Sequence, residues 1–75
     1  MSTATPRHLR KRSFSLAGHR TSVALEPEFW AALEAAAAAR GVSLAALLAE
    51  IDAARTAAGA PLASALRVWV LGRRE

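Results

Sequence analysis

Between residues 13 and 25, polar and apolar side chains alternate with a period of two, the spacing of β-strands with one covered face. The apolar positions are even-numbered in the first part of this segment and odd-numbered in the second, so one straight strand cannot keep them on one face. A turn or a bulge at Ala17-Gly18 would restore a common face, although alanine is a poor residue for a turn position with positive φ. A two-residue hairpin would pair Phe14 with Thr21 and Leu16 with His19.

A first helix is predicted directly after the alternating segment. Pro27 suits the first turn of a helix, and the acids Glu26 and Glu28 suit the positive end of its dipole. Gly41 supplies a stop after Arg40. The residues expected to be covered are Phe29, Trp30, Leu33, Ala36 and Ala37.

Two further helices are predicted in the rest of the chain. Ser43 is a good N-cap for a second helix from Leu44 to about Ala58. Residues 62–75 predict a short third helix, although residues 68–70 could form a strand instead. The residues expected to be covered are Leu44, Leu47, Leu48 and Ile51 in the second helix and Leu62, Leu66, Trp69 and Val70 in the third, with Val68 and Leu71 also near the core.

Length and composition predict a single domain that buries apolar surface against a second copy. The chain has 75 residues and no cysteine, and alanine supplies half of its 53% hydrophobic residues. A chain this short buries only about 60% of its unfolded surface. The predicted fold class is mostly α, with an N-terminal strand or hairpin followed by two to three helices. An obligate homodimer with an intermolecular β-ribbon would pair the strand edges across a twofold axis.

The charge of the chain is concentrated at its N-terminal end. Residues 1–25 contain five cations and no acid, whereas residues 26–75 contain five arginines and six acids. A basic end on a nearly neutral body is typical of a chain that meets a polyanion. Residues 1–12 are therefore predicted to form a flexible basic arm, and residues 13–75 the folded domain.

The residues that carry catalysis or bind metals are scarce in this chain. His8 and His19 lie among cations, and no acid in the first 25 residues could orient them, so we expect solvated histidines and no metal. The glycines stand singly, which predicts no cofactor loop. No apolar run approaches the roughly 18 residues that span a membrane. We expect a cytoplasmic protein that is not an enzyme and makes no membrane contact.

A known family matches these features in order. Residues 20–51, RTSVALEPEFWAALEAAAAARGVSLAALLAEI, resemble the ribbon-helix-helix superfamily of Arc and MetJ type repressors. The blocks AGHRTSVALEPEFW, SLAALLAEIDAAR and ASALRVWVL are similar to a group of short bacterial ribbon-helix-helix proteins. The resemblance implies a homodimer whose paired strands enter the major groove of double-stranded DNA, and a role in transcription regulation.

The resemblance also assigns roles in base readout to the alternating segment. It implies that Arg20, Ser22 and Ala24 point outward to the bases. Arginine can pair with guanine O6 and N7, serine can bond almost any base, and alanine can touch only a thymine methyl group. The residues implied to face the helices are Thr21, Val23 and Leu25.

Contacts to DNA phosphates are expected at two places. The resemblance implies that main-chain N–H groups at Val42, Ser43 and Leu44 hold a phosphate, although many relatives have a polar or basic residue at position 44. The basic run Arg10-Lys11-Arg12 is expected to be a non-specific phosphate tether. The extra segment FSLAG before the ribbon would widen the sheet and change its approach to DNA.

Two other functions stay open on the sequence alone. One is a protein-interaction or antitoxin-like module that uses the fold for dimerisation and binds a protein partner through its apolar C-terminal segment. The other is an RNA or anionic-membrane binder that acts through the N-terminal arm.

Overall fold

The computed structural model describes residues 9–56 and 59–73. The elements in chain order are β1 (Arg10–Leu16), β2 (His19–Leu25), α1 (Pro27–Arg40), α2 (Leu44–Thr56) and α3 (Leu62–Gly72). The predicted class, an N-terminal strand or hairpin followed by two to three helices, is confirmed, and the structure has the hairpin and three helices. The alternative strand at residues 68–70 is wrong, because these residues lie within α3. The predicted end of the second helix, near Ala58, lies outside the described residues.

The two strands form an antiparallel hairpin with a two-residue turn. The pairing of Phe14 with Thr21 and of Leu16 with His19 is confirmed. The turn residues have φ values of 52° at Ala17 and 83° at Gly18. Two consecutive positive φ values are those of a type I′ turn, whose twist matches the right-handed twist of the strands. The change of parity in the sequence is therefore the mark of this turn.

Ala17 is the strained residue of the hairpin. A residue with a Cβ atom is disfavoured at positive φ, and asparagine tolerates this conformation better than alanine does. We expect Ala17→Asn to raise the free energy of unfolding by roughly 0.5–1 kcal/mol, measured by urea denaturation. Gly18→Ala should lower the free energy of unfolding. Because a Cβ at this position would meet nothing within 4 Å, the loss would come only from the positive φ that alanine disfavours. A lower urea midpoint for Ala17→Asn would contradict this account of the turn.

One face of the hairpin packs against the helices. As predicted, its apolar residues are even-numbered in β1 and odd-numbered in β2. Leu16, Val23 and Leu25 are buried, while Phe14 and Thr21 are half-buried. Because alternate residues of a strand point to opposite faces, the odd-numbered side chains of β1 and the even-numbered side chains of β2 point outward. The core is completed from the helices by Trp30, Leu33, Ala36, Ala37, Leu47, Leu48, Ile51 and Leu66.

Trp30 joins the first helix to the first strand. Its ring is 4% exposed, and its indole Nε1 donates a hydrogen bond of 2.8 Å to the main-chain carbonyl of Arg10. Its ring centroid lies 5.8 Å from that of Phe14. Because a buried indole N–H needs an acceptor, this bond holds the start of β1 at a fixed place on α1.

Glu26 fixes the start of α1 and ties it to α3. Its carbonyl accepts hydrogen bonds from the amides of Phe29 and Trp30, and its carboxylate accepts one of 3.0 Å from Arg67. A hydrogen bond from its own main chain, and then the bond from Arg67, lower the pKa of the Glu26 carboxyl. Because the folded-state pKa is depressed, this stabilisation is present at neutral pH and is lost as the pH falls through the folded-state pKa.

The third helix has one covered face and one apolar face that is open. Leu66 is fully buried, and Leu62, Trp69 and Val70 are half-buried. The placement of Val68 and Leu71 near the core is wrong, since their side chains are 65% and 69% exposed. Val68 lines an open groove between α2 and α3 rather than packing into the core.

The homodimer was predicted because a lone strand needs a neighbouring strand and cover for its apolar face. A single chain already supplies part of both. β2 pairs with β1 of the same chain rather than with a second copy, and its apolar face is covered by the chain's own helices. The outer edge of β2 has no strand beside it among the described residues. The intermolecular ribbon stays a prediction.

The folded part begins earlier than the boundary drawn from the sequence. β1 starts at Arg10, three residues before Ser13, so Arg10, Lys11 and Arg12 belong to a strand. Residues 1–8 of the predicted arm lie outside the described residues.

Within the described ranges, no single helix is long and apolar enough to cross a membrane. Taken together, α1 and α2 reach that length and composition, but they bend by 101°. The same ranges hold no group of three or more His, Cys, Asp or Glu residues that could bind a metal ion.

Candidate nucleic-acid interface

The side of the hairpin away from the helices presents six side chains in three cross-strand rows. We call this surface the outward face. Five of its residues are exposed, and Ala24 is half-buried. The rows pair Lys11 with Ala24, Ser13 with Ser22, and Ser15 with Arg20.

The three residues predicted to read bases are brought together on this face. Arg20, Ser22 and Ala24 lie on β2 at every second position, so their side chains point the same way. Ser13 and Ser15 share the face and were missed by the sequence reasoning. The alternation with Phe14 and Leu16 did place both serines on the polar side, but the resemblance assigned roles only to the second strand.

The middle row is held together by its hydroxyl groups. The Oγ atoms of Ser13 and Ser22 lie 2.9 Å apart, and either hydroxyl can be the donor. In a two-residue hairpin the pair beside the turn exchanges main-chain hydrogen bonds, and the next row does not. The three outward rows are therefore non-hydrogen-bonded pairs, whose side chains approach more closely than those of hydrogen-bonded pairs. Their main-chain N–H and C=O groups point away from the hairpin, toward its two free edges.

No acid in the part of the chain that the structure describes pairs with the cations of the outward face. The described residues contain four ion pairs, and none of them includes Lys11 or Arg20. Residues 1–25 contain no acid. The four pairs are Arg12 with Glu34, Arg40 with Glu50, Arg55 with Asp52, and Arg67 with Glu26.

The predicted basic tether is divided between the two faces of β1. Lys11 lies on the outward face, whereas Arg10 and Arg12 lie by parity on the face toward the helices. The Arg12 guanidinium donates a hydrogen bond of 2.8 Å to Glu34 and lies 5.0 Å from the centre of the Trp30 ring. The structure thus joins Lys11 to the predicted base readers and places Arg12 in a contact with α1.

The start of α2 is capped as the sequence predicts. The Oγ of Ser43 accepts a hydrogen bond of 3.0 Å from the amide of Ala46. The amide of Val42 already donates to the carbonyl of Ala37 at 3.0 Å, as part of the cap that ends α1. A phosphate at this helix end would therefore meet the amides of Leu44 and Ala45, which have no acceptor within the helix.

The comparison with known proteins agrees with this arrangement. Residues 9–73 match the family described as ribbon-helix-helix domain, which covers both strands and all three helices. The chain belongs to this family. No curated protein and no solved structure matches the chain. Members of the family generally bind DNA as transcription regulators, form homodimers and are typically not enzymes.

Proposed function

We propose that the protein is a homodimeric, sequence-specific DNA-binding protein that regulates transcription in the bacterial cytoplasm. The observation that carries this proposal is the outward face, where short, mostly polar side chains lie beside two cations that pair with no acid among the described residues. Short side chains let the strands come close to base edges, and unpaired cations favour approach to a polyanion.

The outer edge of β2 is the part of the hairpin that suits pairing with a second copy. The main-chain groups of Arg20, Ser22 and Ala24 point toward this edge. Two β2 strands can pair antiparallel about a twofold axis at Ser22, which gives a sheet of four strands in the order β1, β2, β2, β1. The two copies of β2 then form the central ribbon that enters the major groove.

The roles of the side chains follow from this placement. Arg20 pairs with a guanine through its two-pronged guanidinium, Ser22 bonds a base edge, and Ala24 contacts a thymine methyl group. Ser43 and the first amides of α2 hold a phosphate. Of the basic run, Lys11 is the residue whose position on the outward face suits a phosphate contact.

Lys11 and Arg10 offer a matched test, because each is an exposed cation and they lie on opposite faces of the same strand. We expect Lys11→Ala to weaken binding to all duplexes alike and to reduce the slope of log K against log salt by about 0.9 for each phosphate that the variant no longer neutralises. Arg10→Ala removes the same charge and should change the slope less. Fluorescence anisotropy over a salt series measures both, and an equal effect of the two variants would argue against a DNA contact by the outward face.

A protein-interaction or antitoxin-like module is the second candidate, and the open side of α3 favours it. Val68 lines a groove of about 320 Å³ between α2 and α3 together with Ile51 and Trp69, and it is exposed, as Leu71 is on the same helix. Exposed apolar patches often mark protein contacts. A purified protein that selects no sequence from a random duplex library at low salt would favour this function over DNA recognition.

A further inference from the structure

The spacing of the strands determines what β1 can reach in the proposed complex. Neighbouring strands lie about 4.8 Å apart, so the two β1 strands at the outside of the four-stranded sheet are separated by about 14 Å. The major groove is about 12 Å wide. The central β2 strands therefore face the bases, while the outward side chains of β1 meet the walls of the groove, where the phosphates lie. These side chains belong to Lys11, Ser13 and Ser15.

A phosphate contact by Ser13 then fixes which of the two hydroxyls donates the hydrogen bond between Ser13 and Ser22. The two oxygens are 2.9 Å apart, so one of the two hydroxyl hydrogens lies between them. A phosphate oxygen can only accept a hydrogen bond. If Ser13 donates its hydrogen to a phosphate, Ser22 must donate its own hydrogen to Ser13. The lone pairs of Ser22 are then all that it can offer to a base.

An oxygen that can only accept distinguishes between bases. In the major groove, adenine and cytosine present amino donors at N6 and N4, whereas guanine and thymine present only acceptors to a polar partner. A free serine hydroxyl would bond either kind, because it both donates and accepts.

We propose that β1 is the phosphate-binding flank of the reading strand, and that Ser13, by donating to a phosphate, makes Ser22 select adenine or cytosine. Ser13 is thus a positioning residue, and Ser22 is the group that touches the base. The inference rests on the proposed function and extends it to a strand to which the family resemblance assigns no role.

The test measures affinity for duplexes that carry each of the four bases in turn. Ser22→Ala first identifies the position that Ser22 reads, as the one at which base preference disappears. At this position the wild-type protein should prefer adenine or cytosine about fivefold over guanine or thymine, the effect of one hydrogen bond. Ser13→Ala should reduce the preference to about twofold or less, because Ser22 can then donate as well.

Two control variants separate positioning from a general loss of affinity. Ser15→Ala removes a hydroxyl from the same strand and the same face without touching the middle row, so it should weaken binding while leaving every base preference intact. Ser13→Thr keeps the hydroxyl and should keep the preference for adenine or cytosine. Both residues are exposed on a strand, so the folded state tolerates these changes.

Three results would overturn the inference. They are a wild-type preference for guanine or thymine at the Ser22 position, an unchanged preference in Ser13→Ala, and the absence of any position at which Ser22→Ala alters base preference. Each of these leaves the proposed function standing if Arg20→Ala relaxes specificity elsewhere in the site. If the wild-type protein selects no duplex at all, the proposed function itself fails.

Discussion

Replacing Arg20 with alanine is expected to remove the base preference at one position of each half-site and to weaken specific binding by about 1–3 kcal/mol per half-site. Arg20 is exposed on the outward face and forms no ion pair within the described part of the chain, so its guanidinium is available to a ligand. The two N–H prongs match the O6 and N7 acceptors of guanine. Duplex selection followed by anisotropy titration measures both the preference and the affinity.

Arg20→Lys is the matched control for this experiment. Lysine keeps the positive charge but lacks the planar fork that bonds two acceptors at once. We expect this variant to keep the salt dependence of wild-type binding and to lose most of its discrimination against other bases. If both variants select the wild-type sequence with wild-type affinity, Arg20 does not read DNA and the outward face is not the reading face.

Replacing Trp30 with alanine is expected to lower the free energy of unfolding by about 3–5 kcal/mol. The indole is 4% exposed, its N–H bonds the carbonyl of Arg10, and its ring packs against Phe14 and Arg12. The total stability of a domain of this size is of the same order as this loss. We therefore expect Trp30→Ala to be largely unfolded at 25 °C, as measured by circular dichroism during urea denaturation.

Trp30→Phe tests which part of the indole matters. Phenylalanine keeps an aromatic ring in the core but removes the donor to the Arg10 carbonyl, so its cost should be about 1–2 kcal/mol. Trp69 remains as the fluorescent residue in both variants. If Trp30→Ala unfolded at the urea concentration of the wild-type protein, the contact between α1 and β1 would not contribute to stability.

Turns and helix ends followed from the sequence because their causes are local. The change of parity at Ala17-Gly18 called for a turn or a bulge, and a turn of two residues was enough to predict the register of the hairpin. α1 ends at Arg40 because the residue that follows the helix, Gly41, has a positive φ of 71°. The Ser43 cap depends only on an amide three residues further along the chain.

Two parts of the candidate site were missed, and only one of them has a cause that is not local. Arg12 was predicted to be a phosphate tether, and only the packing of β1 on α1 brings it to Glu34, 22 residues away in sequence. Ser13 became part of the site because the hairpin places it beside Ser22. The contact of Arg12 with Glu34 leaves no signal in the spacing of neighbouring residues. The pairing of Ser13 with Ser22 follows from the hairpin register, and Ser13 was missed because the family resemblance assigned roles only to β2.

By itself the sequence determined the order of the elements, the hairpin register and the face of each strand that is covered, because periodicity and turn chemistry act over a few residues. Only the tertiary structure decided that Arg12 contacts Glu34 on α1 and that Val68 and Leu71 lie open on α3. These outcomes depend on how the elements pack together. Packing is set by contacts between residues that are far apart in the chain.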